Sequence, residues 1–107
     1  MKAQILIAQN STTAPIVLNR EKSMVLVLGT NADTPATAEI AVQIELFADE
    51  WLTIEGIVDG VDALPVASVI GPSQWGWVDV PGAQRARLIR LDANGGNAGV
   101  GIEQVGI

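Results

Sequence analysis

A chain of 107 residues with twelve acidic and six basic side chains, net charge −6, carries no cysteine and no histidine. Disulfides, thiolate nucleophiles and thiolate metal sites are thereby excluded, together with the commonest general base and metal ligand. The negative balance repels a phosphate backbone, so nucleic acid is not an expected partner. A hydrophobic share of 49% against 17% charged residues describes a folded domain, and at this length residues 1–107 are expected to form one domain around one core.

In chain order, Ala3 to Ala8 is a short β-branched apolar run, too short for a signal-peptide core, and Gln9 to Thr13 is a polar turn. No run of about 20 apolar residues occurs anywhere, so neither a membrane span nor a targeting segment is expected. Ala14 to Asn19 reads as a strand beginning beside Pro15, at an edge, because proline lacks the N–H of a ladder donor. Met24 to Leu28 is apolar on both faces and ends at Gly29. Between Thr37 and Asp49 the alternation is strict, with Ile40, Val42, Ile44 and Leu46 on one face and Glu39, Ala41, Gln43 and Glu45 on the other, which predicts a half-buried antiparallel strand. Ala48 to Glu50 turns the chain into Trp51 to Glu55, another alternating strand.

The Asp59-Gly60 step predicts a reversal that pairs Ile57-Val58 with the segment after the turn. Leu64 to Ile70 reads as one edge strand beside Pro65. Trp75 to Leu91 then forms two strand-like runs hinged at Pro81-Gly82, a hairpin-like corner. Trp75 and Trp77 share a face, as do Arg85 and Arg87. After Leu88 the alternation slips, and a bulge at Leu88-Ile89 is expected to return Arg90 to solvent. Asn94 to Asn97 is a turn, and Ala98 to Ile107 a strand whose Gly99 and Gly101 leave one face bare. Eight to ten short strands with regular turn signals predict an all-β antiparallel sandwich. A jelly roll of about eight strands is the form chosen on strand number.

The carboxylates of Glu45, Asp49, Glu50, Glu55, Asp59 and Asp62 are of the kind that bind hard cations or carry out glycosyl transfer, with Asp59 and Asp62 the pair of most interest. Their spacing fits no calcium-loop template, so a solvated surface without metal, cofactor or catalytic role is the expectation. Trp51 is read as core packing. Trp75 and Trp77 divide evenly between core and a platform for a partner or a sugar ring. Arg85, Arg87 and Arg90 are read as partners for carboxylates, on this protein or on another, and hence as docking residues. The two-faced apolar runs predict a homo-oligomer, a dimer by preference, whose interface draws on Met24, Leu26, Leu28, Val100 and Ile102.

The segments Phe47 to Glu55, Trp77 to Ala83, Arg85 to Leu91 and the glycine-rich turn before Ala98 to Ile102 resemble the small all-β cement or decoration proteins of tailed bacteriophage capsids. The resemblance implies a jelly-roll-like, oligomeric, non-enzymatic virion protein made in the host bacterial cytoplasm. Such a protein sits on the capsid surface and bridges subunits of the major capsid protein. Another virion component, such as a head fibre or tail accessory protein, is the near alternative. A carbohydrate-binding module using the tryptophans ranks after these, and a small enzyme using Asp59 or Asp62 is weakened by the missing His and Cys.

Overall fold

The computed structural model describes residues 2–18, 24–80, 85–93 and 95–106. The chain passes through β1 (Lys2–Ile7), β2 (Ile16–Val17), β3 (Met24–Thr30), β4 (Glu39–Phe47), β5 (Glu50–Ile54), β6 (Ile57–Asp59), β7 (Pro65–Val66), β8 (Val69–Ile70), β9 (Trp75–Asp79), β10 (Arg85–Arg90) and β11 (Ala98–Gly106). A first sheet of six strands has the order β1-β11-β3-β9-β6-β7, and a second of five has the order β2-β10-β4-β5 with β8 also against β4. All pairings are antiparallel. No helix occurs among the described residues, so none is long and apolar enough to cross a membrane. Among the described residues eleven strands occur against the eight to ten expected and the eight of the jelly-roll form, because three two- or three-residue strands, β6 to β8, are added between β5 and β9.

The two sheets enclose one core. From the second sheet, β4 contributes Ile40, Val42 and Ile44 and β10 contributes Ala86 and Leu88; from the first come Leu26, Leu28, Val78, Val100, Ile102 and Ile7. Ile40, Val42 and Leu88 are fully buried. Each such side chain adds about 1.5–3 kcal/mol of transfer free energy, so period-two patterning fixes which face of each strand turns inward.

Three local expectations give way. The tryptophan and arginine runs do not pair: β9 lies between β3 and β6 while β10 lies between β2 and β4, so the chain changes sheets between them. The hinge at Pro81-Gly82 and the turn residue Asn94 lie outside the described residues. Leu64 to Ile70 is two strands, because β7 joins β6 in the first sheet and β8 joins β4 in the second. Finally, β10 pairs with β4 in unbroken register from Arg85↔Glu45 to Arg90↔Ile40, with no bulge at Leu88-Ile89. The irregularity falls instead between Glu45 and Phe47, where β4 turns into β5.

With the register unbroken, Arg90 keeps its place on the leucine face and is 1% exposed. Its Nε and Nη2 donate to Oδ1 and Oδ2 of Asp92, both at 2.9 Å, and its Nη1 donates to the carbonyls of Ile7 at 2.9 Å and Gly96 at 2.7 Å. Asp92 Oδ1 also accepts the N–H of Glu39 at 2.9 Å. A buried guanidinium is tolerated only when its charge and its donors are matched, and this clasp does both while tying the second sheet to β1 of the first.

Candidate functional site

The side chains singled out in the sequence fall on two opposite outer faces and in the core. On the outer face of the second sheet, antiparallel register brings Glu45 opposite both Arg85 and Trp51, and Gln43 opposite both Arg87 and Thr53. The guanidinium of Arg87 lies over the Trp51 indole, 4.1 Å from the ring centroid, and that of Arg85 lies 5.5 Å from it. Both distances are within cation–π range. Trp51 is therefore a half-buried surface residue roofed by arginines, not core packing. Strand alternation puts Trp51 with Thr53 and Glu55, on the face opposite Leu52 and Ile54, and that is the signal for it in the sequence.

The two arginines differ in what they hold. Arg85 grips Glu45 through two nitrogens, Nε to Oε1 at 2.9 Å and Nη2 to Oε2, and stands 3.6 Å from the exposed carboxylate of Asp49. Glu45 is only 2% exposed. The hydrogen bond from Arg85 holds its carboxyl below the usual carboxylate range; burial opposes the shift, and the Asp49 N–H, donated to Oε2 at 3.0 Å, reinforces it. The same contact raises the Arg85 guanidinium above its ordinary value. Arg87 donates its Nε to Gln43 Oε1 at 2.6 Å, and Gln43 Nε2 donates to Thr53 Oγ1 at 3.1 Å. No carboxylate faces Arg87 among the described residues. Arg90, expected at the surface, is the buried clasp described above.

The outer face of the first sheet carries Trp75 and Trp77, with ring centroids 5.6 Å apart and planes inclined at 33°. Trp75 is 43% exposed. Gly60 lies directly beneath the Trp75 ring, where any Cβ would collide with the indole, so one face of Trp75 packs on backbone. Val25, Val27 and Val58 share this face through their register with β9 and with one another. Beside it, Gly29, Gly99 and Gly101 form the floor of a shallow cavity of about 660 Å³ bordered by Gln4, Leu6 and Asn31. Leu6 is 71% exposed.

The interface residues expected from the two-faced runs point the other way. Leu26, Leu28, Val100 and Ile102 are at most 2% exposed and belong to the core, because they occupy the alternate positions to Val25, Val27, Gly99 and Gly101. The side chain of Met24 lies outside the described residues. Asp59 does not face Asp62 as a cation pair. Its Oδ1 accepts the N–H groups of Val61 at 2.7 Å and Asp62 at 3.0 Å, a local cap for the turn between β6 and β7. No group of three or more carboxylates placed to hold a metal occurs among the described residues.

No family model matches this chain, and no curated protein matches it in sequence. Among solved structures, the crystal structure of SPBc2 prophage-derived protein YomS is similar, with a TM-score of 0.67 over 98% of this chain and 94% of that one at 14% identity. At that identity the likeness is one of fold: the chain shares a whole-domain, two-sheet all-β architecture with a prophage-derived protein.

Proposed function

We propose that the chain is a non-enzymatic structural protein of a bacteriophage particle, acting as a cement or decoration protein that bridges capsid subunits. The observation that carries this reading is the end-to-end likeness to a prophage-derived protein. It is supported by surface chemistry of the docking kind, arginine and tryptophan being the side chains over-represented at binding hot spots. The jelly-roll form belongs to the same reading. With β6, β7 and β8 set aside, the remaining eight strands renumber to 1-8-3-6 in one sheet and 2-7-4-5 in the other, the winding of a two-Greek-key roll. The homodimer is retained on a different surface: the apolar outer face of the first sheet, with Leu6, Val27, Trp75 and Trp77, is the patch that a second copy would cover.

Quantitative mass spectrometry of washed particles tests the reading. The protein is expected at a fixed ratio to the coat protein and is expected to remain with the shell after DNA is removed. Its absence from particles, or its presence only with tails, overturns the capsid assignment. The exposed Trp75 face favours one other reading, a sugar platform. A glycan array that quenches indole fluorescence in the wild type but not in Trp75→Ala would establish it.

A further inference from the structure

The three arginines of β10 have separate fates, Arg85 and Arg87 on the outer face of the second sheet and Arg90 on its buried face. Arg90 is neutralised by Asp92 and Arg85 by Glu45. Arg87 has no carboxylate partner among the described residues, and its one protein hydrogen bond there uses Nε, donated to Gln43. The two terminal nitrogens are thus left together at the open end of the guanidinium. That end is also held still, since the indole of Trp51 supports the plane from below and Gln43, itself fixed by Thr53, anchors the Nε edge. A flexible cation that has been ordered before binding loses less entropy when its ligand arrives.

We propose that Arg87, stacked on Trp51, is a pre-formed receptor for a carboxylate of a partner protein, an Asp or Glu side chain received end-on by Nη1 and Nη2. This deepens the docking reading and rests on it for the identity of the partner. The fork matches a planar two-oxygen acceptor. The local field selects for a single negative charge. Arg85 is already offset by Glu45 and Asp49, the latter with its side chain 93% exposed, so a dianionic phosphate would meet more repulsion than a carboxylate. Val17, opposite Arg85 in the β10–β2 register and 75% exposed, adds an apolar rim on the same face. A charge-assisted pair flanked by apolar surface is the composition of an interface hot spot.

The test follows the arginine Nε–H and tryptophan Nε1–H resonances of the full-length protein by nuclear magnetic resonance. Three probes are titrated: a short Ser/Glu peptide, the same peptide with Gln for Glu, and inorganic phosphate. The Glu peptide is expected to give saturable shifts at Arg87 and Trp51 while Arg85 stays still, and Arg87→Lys is expected to weaken binding about 10- to 100-fold, the loss of a charge-assisted bidentate pair. Arg87→Gln gives a second reading that keeps a neutral donor. An equal response to the Gln peptide, tighter binding of phosphate, or undiminished binding by both variants overturns the proposal. Incorporation into particles is scored separately. Wild type on particles with Arg87→Lys incorporated equally well sinks the carboxylate receptor and leaves the capsid reading standing; wild type absent from particles with Glu-peptide binding intact does the reverse.

Discussion

Replacing Arg90 with methionine keeps most of the volume and removes the guanidinium. The consequence is large because its partner stays behind: the Asp92 side chain is 6% exposed, and without Arg90 its carboxylate keeps the Glu39 N–H but loses the guanidinium charge beside it. Breaking a buried pair from one side costs about 3–5 kcal/mol, and the carbonyls of Ile7 and Gly96, each deprived of a charged donor, place the total toward the upper end. Against a typical domain stability of roughly 5–15 kcal/mol this is a severe loss, equivalent to roughly 15–30 °C in melting temperature at this size. Urea unfolding followed by tryptophan fluorescence measures it, with the single variants Arg90→Met and Asp92→Asn and the double variant forming a cycle. The double variant is expected to be far less damaged than the sum of the singles, because it leaves no lone charge. If Arg90→Met loses less than about 1 kcal/mol, the clasp is not holding the sheets together and the reasoning fails.

Glu45 makes stability depend on pH. Its folded carboxyl lies below the ordinary glutamate value of about 4.3, so the contribution is complete above that value and disappears as pH falls through the lower folded value. Glu45→Gln is expected to flatten the acid limb of a stability-versus-pH curve, and an unchanged limb would refute the assignment. Arg85→Glu, by setting a second carboxylate against Glu45, is expected to lower the melting temperature, whereas Arg87→Lys is expected to leave it within a few degrees; scanning calorimetry separates the two. Leu88→Ala, at a fully buried position, is expected to cost about 2–5 kcal/mol in chemical denaturation. Gly60→Val is expected to lift Trp75 off its seat, reported by a red shift in tryptophan emission with little loss of stability. Light scattering of the wild type and of Leu6→Glu reads the dimer: a mass that is already monomeric in the wild type, or unchanged dimer in the variant, removes the proposed face.

What is legible in the sequence comes from period two. Alternation turns Ile40, Val42 and Ile44 inward and they are buried, and the edge position of Pro65 comes from its missing N–H. The failures share one physical cause. Hydrophobicity states which face a residue prefers, and Arg90 and Glu45 are charged residues whose partners, Asp92 and Arg85, satisfy them inside or beneath the surface. A pattern of polarity along one strand does not reveal that a charged side chain is matched, whether by a distant strand, as Arg85 matches Glu45, or by a residue just past the strand's end, as Asp92 matches Arg90. Likewise, a strand apolar on both faces does not say which face is core, so Leu26 and Leu28 read as interface when Val25 and Val27 hold the outward positions. Turn chemistry predicts a reversal between the tryptophan and arginine runs but is silent on whether the chain returns to the same sheet, and β9 and β10 lie in different sheets.

The place of β11 in the first sheet bears on how the chain reaches this state. It lies between β1 and β3, with Ile102 opposite both Ala3 and Leu28, so two strands made early in synthesis are held apart by one that comes after all the others. Until β11 arrives, β1 has no neighbour on its sheet and one side of β3 is open. Closing such a gap demands ordering a long chain before any contact rewards it, which belongs to the slow, millisecond-to-second regime of β-topologies. In that interval the nascent protein presents two apolar strand edges at once, the exposure that favours edge-to-edge aggregation before folding is complete.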